Sequence, residues 1–355
     1  MSGTGPPPSP EILVSIEGGV GRLRLNRPKA IHALTHGMCV AMSDALAEWR
    51  ADEAVRLVLI DHSEGRGFCA GGDIRAIWES AREDGVAARR FFFDEYRLNH
   101  TLFTYAKPVV AFMDGITMGG GVGISQPARY RIATERTAFA MPETGIGLFP
   151  DVGGGWYLSR LPGRVGEYLA LTGARLDGAD CIALGLATHY VPSERLDALK
   201  ESLVAAPARA EALIGDATET PPAAMIEAHR ADIDRLFASD RFETILEVLA
   251  ADGSEWAGKQ RSILTSKSPQ ACKVSLRLVI QGREQTDFAG EMAVEYRLAS
   301  HVIQRHDFVE GVRALIVDKD NQPLWAPGTA EAVTDHVVDR IFAPLDPDQE
   351  WTPAR

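Results

Sequence analysis

The sequence predicts an α/β fold whose strands are confined to roughly the first two hundred residues and whose remainder is helical. Three observations carry this. Strand and helix patterns alternate from residue 11 to about residue 191, Gly-rich turns separate them, and strand signals thin out after "GLATHYVP". With 355 residues, 45% of them hydrophobic, the chain is long enough to bury a full core in one large or two smaller domains.

The elements follow in order. "EILVSIEGGVGRLRLN" reads as a strand, a Gly-rich turn and a second strand in which Arg22, Leu23, Arg24 and Leu25 alternate. "HGMCVAMSDALAEWRAD" has helical spacing, and "VRLVLID" at 55–61 is a compact buried strand. The order then recurs. "DGVAARRFFFDEYRLNHTLFTYA" is a helix, "KPVVAFMDG" a strand ending in a turn, "MGGGVGISQPA" a helix opened by glycines, and "YRIATE" another strand. "AAMIEAHRADIDRLFASDRFETILEVLAAD" and "SPQACKVSLRLVIQGRE" are amphipathic and helical. The expected organisation is a core over residues 11–205, a helical C-terminal region over 206–345, and flexible ends at 1–10 and 346–355.

Charge and motifs exclude several function classes. A formal net charge of −12 argues against nucleic acid or an anionic membrane as a general partner, so an anionic ligand has to be held by local groups. "MSGTGPPPSPE" has no basic flank and no apolar run, which predicts neither a secretory signal nor a transit peptide and gives a cytoplasmic expectation. The apolar region 109–125 is interrupted by Asp114 and by glycines, a poor membrane span. Cys39, Cys69, Cys181 and Cys272 are far apart without a C-x-x-C pair and read as reduced, buried thiols. His32 and His36 are helix-spaced but lack a carboxylate at ligand spacing, so no metal is expected. The glycine clusters match neither the dinucleotide fingerprint nor the P-loop, and "GISQP" is not a serine nucleophile elbow; no separate cofactor is expected.

Two stretches remain to be explained. "MDGITMGGGVGIS" at 113–125 exposes bare backbone at Gly119, Gly120 and Gly121, either for a tight turn and close helix packing or for the approach of a ligand. "MPETGIGLFPDVGGGW" at 141–156 sets Glu143 and Asp151 among small and apolar residues. Asp151 reads either as an N-cap for "VGGGWYLSRL" or as a group facing a site, and Asp73 reads first as the cap of a helix starting near Ile74.

"GFCAGGDI" at 67–74, "ITMGGGVGIS" at 116–125 and "AMPETGIGLFPDVGGGWYLSRLPG" at 140–163 resemble the signature segments of the crotonase (enoyl-CoA hydratase/isomerase) superfamily. "FDEYRLNH", "LTGARLDGAD", "GLATHYV" and "EYRLASHVIQRHDFVEGVRALIVDKDNQPLW" are similar to its 3-hydroxyisobutyryl-CoA hydrolase family, so the likeness runs from about Glu11 to about Ile341. The resemblance implies a crotonase-type spiral of β-β-α turns with a helical C-terminal region, an acyl-CoA substrate whose coenzyme A is part of that substrate, and a homo-oligomer, trimer or hexamer. It implies an oxyanion hole formed by the N–H groups of Ala70 and Gly120, with Gly72, Asp73, Gly119 and Glu95 beside the substrate.

Hydratases of the superfamily use glutamates three and twenty-three residues after the oxyanion-hole glycine. Here position 123 is glycine and position 143 is Glu143. The resemblance therefore implies hydrolysis of a short-chain acyl-CoA thioester, 3-hydroxyisobutyryl-CoA to 3-hydroxyisobutyrate and CoA in valine breakdown. Glu143 then acts as nucleophile or general base, and Asp151 with Glu95 attends the substrate hydroxyl. Isomerisation or hydration of an unsaturated acyl-CoA and a non-catalytic CoA-fold protein are the alternatives. Arg22, Arg24, Arg27, Lys29, Arg66 and Arg75 flank the segments expected near the CoA phosphates, and His32 stands where relatives commonly have Asn.

Overall fold

The computed structural model describes residues 10–354. Its strands form two sheets. The larger contains β1 (Ile12–Glu17), β2 (Val20–Leu25), β3 (Leu57–His62), β5 (Val109–Met113), β7 (Tyr130–Ala133) and β9 (His189–Tyr190), adjacent in that order. The smaller contains β4 (Gly67–Cys69), β6 (Ile116–Met118) and β8 (Ala138–Ala140). Only β1 and β2 pair antiparallel, joined by the Gly18–Gly19 turn; every other pair is parallel.

This is a spiral of β-β-α turns. Each turn places one strand in the large sheet and the next in the small one, then returns through helix. The turns run β3, β4 and then α2 (Ile74–Ala81) and α3 (Val86–Phe103); β5, β6 and α4 (Gly120–Ser125); and β7, β8, a 3-10 turn at Glu143–Ile146 and α5 (Gly154–Ser159). Helix α1 (His36–Ala51) connects β2 to β3. Parallel neighbours need such crossovers, which is why a helix follows each pair.

The large sheet is covered on both faces. Leu23, Leu25, Val58, Ile60, Val109, Ala111 and Met113 point into the main core. On the opposite face Val20, Leu57, Leu59, Val110, Phe112 and Ile132 meet Leu196, Leu199, Leu203, Ala210 and Ile214, from helices Leu196–Ala205 and Ala210–Ala217. The period of two in β2 that separates Leu23 and Leu25 from Val20 also puts Arg22 and Arg24 on that second face.

Beyond residue 217 the described chain adds helices and no strand, and these helices share the main core with the strands rather than forming one of their own. Helix Pro269–Gly282 packs on α5 and on α6 (Val165–Thr172), and helix Phe288–Val302 packs on α3. The C-terminal stretch expected to be loose is docked. Trp351 is buried and donates Nε1–H to the Phe93 carbonyl at 3.1 Å, while Arg97 of α3 donates to the Thr352 carbonyl at 2.8 Å. An indole is a large apolar body with one donor, and α3 offers both a surface and an acceptor for it. The expected flexible arm at 1–10 falls, apart from Pro10, outside the described residues.

All four cysteines are buried free thiols. Among the described residues no helix is long and apolar enough to cross a membrane, and no group of three or more His, Cys, Asp or Glu is gathered as a metal site.

Candidate active site

The three parallel strands of the small sheet end on one side, and each hands the chain to one part of a cavity. After β4 come Ala70, Gly71 and Gly72; after β6, Gly119 and Gly120; after β8, Pro142 and Glu143. Carboxyl ends of parallel strands are where ligands bind in open α/β sheets. The cavity has a volume of about 220 Å³, and Ile77, Phe91, Phe92 and Leu148 make most of it apolar. Three carboxylates enter it: Glu95, Glu143 and Asp151.

Each carboxylate is placed by local structure. On α3 the inward stripe runs Phe91, Phe92, Glu95, Tyr96 and Asn99, the spacing of one helix face, so an apolar stripe is interrupted by polar groups where it meets the cavity. Glu143 opens the 3-10 turn Glu143–Ile146, whose exit is fixed by Leu148 N–H donating to the Glu143 carbonyl at 3.0 Å. Asp151 does not cap α5; its Oδ2 accepts the phenolic hydrogen of Tyr96 at 2.8 Å. Glu95 Oε1 and Glu143 Oε2 have no hydrogen-bond partner among the described residues.

Burial raises the pKa of all three carboxylates. Loss of solvent, and then the charge of Asp151, pushes Glu143 and Glu95 well above the usual carboxylate range. Asp151 is pushed up to about 6, because the Tyr96 hydrogen bond offsets part of its desolvation. Lys267 supplies a smaller, opposing pull on Glu143; its Nζ lies 3.2 Å from where a Cβ at Gly145 would stand, beside the same turn.

The glycines bring backbone within reach of these acids. A Cβ at Gly119 would lie 3.1 Å from Glu143 Oε1, and one at Gly120 2.7 Å from Glu95 Oε1. Gly119 also has φ of 46° and ψ of −120°, a combination that L side chains avoid. Among the described residues the Gly120 N–H has no protein acceptor, as the first donor of α4.

The partner expected for it, Ala70, is otherwise engaged. Its N–H donates to the Ile31 carbonyl at 2.9 Å. Two residues on, Leu34 forms a parallel bridge across Gly72: Leu34 N–H donates to Gly71 O and Asp73 N–H to Leu34 O, both at 2.8 Å. That pattern turns the Gly72 N–H the other way, without a protein acceptor among the described residues, on the cavity wall. Among the described residues Gly72 and Gly120 therefore each offer an unengaged N–H at the cavity, and Ala70 does not.

Asp73 is likewise moved out of the site. Its carboxylate caps α2, accepting from Ala76 N–H at 3.4 Å, and pairs with Arg27 at 2.9 Å. An acid at an N-cap is held by the orphan donors of the first turn and faces along the helix, away from the cavity. Arg22 and Arg24 are committed to Asp61 on β3, at 2.6 and 3.3 Å, on the sheet face turned away from the main core. Arg27 bridges Glu11 and Asp73. Of the six cations Arg75 donates to the carbonyl of Ile316, which lines the cavity, at 3.4 Å; Lys29 and Arg66 have no ion pair among the described residues. His32 is buried and structural. Nδ1 accepts from Arg27 N–H at 3.0 Å and Nε2–H donates to the Glu64 carbonyl at 2.8 Å, the neutral form that its desolvation favours.

Sequence reasoning missed Tyr96, which shares the inward stripe of Glu95, and Leu315 and Ile316, which bring the helical region over the cavity. At Gly123 a Cβ would lie 2.6 Å from Val152 Cβ and 2.8 Å from Asn99 Nδ2, so this position is filled by packing.

A β-β-α spiral with unengaged N–H groups and buried carboxylates at the strand ends is an arrangement able to polarise and attack a carbonyl. Residues 20–342 match the family model described as enoyl-CoA hydratase/isomerase, and the chain belongs to that family. It is 43% identical over 346 residues to 3-hydroxyisobutyryl-CoA hydrolase, mitochondrial, of Danio rerio, covering 95% of this chain and 90% of that protein. The Homo sapiens protein of the same name is 41% identical over 344 residues, covering 94% and 89%. A crystal structure described as a carnitinyl-CoA dehydratase from Mycobacterium thermoresistibile superposes with a TM-score of 0.93 at 43% identity, covering 97% of this chain and 99% of that one. The cytoplasmic expectation is overturned, because these hydrolases are named as mitochondrial. It rested on the lack of a targeting pattern, and such a lack carries no address.

Proposed function

We propose that the chain hydrolyses a short-chain acyl-CoA thioester, and that its substrate is 3-hydroxyisobutyryl-CoA, the compound in the name of its curated relatives. The observation that carries this is the pair of unengaged N–H groups, Gly72 and Gly120, on the wall that also presents Glu143.

In the proposed reaction the thioester oxygen lies between those two donors. They are fixed by a parallel bridge on one side and a helix start on the other, so they stabilise the oxyanion of a tetrahedral intermediate without reorganising. Glu143 attacks the carbonyl, CoA leaves as the thiol after taking up a proton, and water opens the resulting anhydride. In the general-base variant Glu143 takes a proton from the attacking water instead. Either way one thioester and one water give one acid and one thiol. A raised pKa makes Glu143 the stronger base and nucleophile once ionised. Asp151, with Glu95 beside it, receives the substrate hydroxyl. Coenzyme A enters only as part of the substrate, in a homo-oligomer, trimer or hexamer, and the reaction belongs to valine breakdown.

Hydration or dehydration is the competing chemistry, since the mycobacterial neighbour is described as a dehydratase. Against it stands Gly123, where packing by Val152 and Asn99 occupies the place of the first glutamate. The test is to give purified protein 3-hydroxyisobutyryl-CoA and crotonyl-CoA in parallel, following free thiol and enoyl absorbance. Thiol release from the first with little loss of the enoyl signal from the second supports hydrolysis. Rapid enoyl loss without thiol release refutes it.

A further inference from the structure

The segment that carries Asp151 is strained and is held from outside the cavity. Val152 has φ of 53°, a left-handed conformation that a β-branched residue adopts only where its surroundings enforce it. The residues that follow it are bonded by helix Phe288–Val302. Glu295 Oε2 accepts from Gly153 N–H at 2.8 Å and Oε1 from Gly155 N–H at 3.1 Å. Glu295 is fully buried and has no ion pair among the described residues, and each of its carboxylate oxygens accepts one of these two N–H groups. Glu291, one turn earlier, lies against the same segment: a Cβ at Gly155 would be 1.9 Å from Glu291 Oε1. Two buried acids one helical turn apart are costly, and here they converge on the start of α5. Next to Glu295, Tyr296 meets the ring of Tyr96 edge to face at 6.5 Å, and Tyr96 in turn bonds Asp151.

We propose that Glu295 is a positioning residue for the reaction. By clamping the N–H groups of Gly153 and Gly155 it holds Val152 in its left-handed conformation and thereby fixes the Asp151 carboxylate in the cavity. The proposal rests on reading that cavity as the acyl-CoA site. Glu295 does not line the cavity; it acts through the two residues between Asp151 and α5.

The test uses the full chain with Glu295→Gln and Glu295→Leu, measuring kcat and KM for thiol release, melting temperature, and a crystal structure of each variant. Glutamine keeps one acceptor but sets an NH2 against the other N–H, and leucine keeps neither. The expected result is a fall in kcat of about tenfold for Glu295→Gln and about 100-fold for Glu295→Leu, with KM within about twofold, as misplacing a group by an ångström does. The crystal structures should show residues 150–155 displaced and the Tyr96–Asp151 bond lengthened or lost. An unchanged kcat per folded molecule, with lowered melting temperature alone, assigns Glu295 to stability and overturns the proposal. If the wild-type protein releases no thiol, the reading of the reaction fails separately. The crystal structures still decide the clamp: an unmoved 150–155 segment overturns it, and a displaced one sustains it.

Discussion

Tyr96 Oη donates to Asp151 Oδ2 at 2.8 Å, and both residues are buried. The bond favours the ionised carboxylate and so holds down a pKa that burial pushes up to about 6. Tyr96→Phe removes that pull, and the Asp151 pKa rises. If turnover requires ionised Asp151, the acid limb of the pH–rate profile moves to higher pH, while turnover well above that limb changes little. An acid limb at the same pH in both proteins would separate Asp151 from the chemistry.

The two candidate oxyanion donors can be told from their neighbour by amide-to-ester replacement, which deletes an N–H without adding bulk. An ester at Gly72 is expected to lower turnover about 100-fold, the scale of one lost oxyanion donor, with little effect on stability. At Ala70 the N–H serves Ile31, so the ester there should cost about 1 kcal/mol of stability and leave turnover of the folded protein nearly intact. The reverse pattern would return the donor to Ala70.

Gly123→Glu tests whether a hydratase can be made by restoring the first glutamate. A Cβ at this position already falls 2.6 Å from Val152 and 2.8 Å from Asn99. The variant should lose at least about 2 kcal/mol from overpacking and a buried charge and gain no hydration of crotonyl-CoA. A stable variant that hydrates crotonyl-CoA would show that packing at Gly123 does not set the reaction.

Glu143 should depend on pH in stability as well as in rate. Its folded pKa lies above its unfolded one, so the folded state binds the proton more tightly. Stability from this group is then fully present below the unfolded pKa and is lost as pH rises through the folded value. Glu143→Gln removes the buried charge and is expected to be more stable than wild type by about 1 to 3 kcal/mol at pH 8, the cost of an unsatisfied buried group. The gap should narrow toward pH 4.5 in thermal melts. An equal gap at both pH values would mean that Glu143 is already solvated or paired.

Much of this was legible because it is local. The hairpin of β1 and β2 and the buried β3 follow from alternation and apolar runs, whereas Glu143, which lines the cavity, was singled out by the resemblance. What was not legible depends on distant partners. The resemblance puts the donor at Ala70, but Ile31 and Leu34 pair with that segment, consuming the Ala70 N–H and leaving that of Gly72 unengaged. Asp73 reads as a cap and does cap α2, where it also pairs with Arg27 and does not line the cavity. Glu291 and Glu295 have the i, i+4 spacing of ordinary exposed helix charges. Only the docking of α5 onto helix Phe288–Val302 buries both and turns Glu295 onto the Gly153 and Gly155 N–H groups. Trp351 likewise reads as tail until α3 supplies its acceptor.

Glu143 is the group proposed to act on the thioester. The most direct measurement is turnover of 3-hydroxyisobutyryl-CoA by Glu143→Gln, read as thiol release beside wild type, with binding of the intact ester measured by calorimetry. Loss of an acid/base or nucleophilic group predicts a fall of at least about 100-fold with the ester still bound and the protein folded. Turnover within a fewfold of wild type in a folded variant would contradict the account.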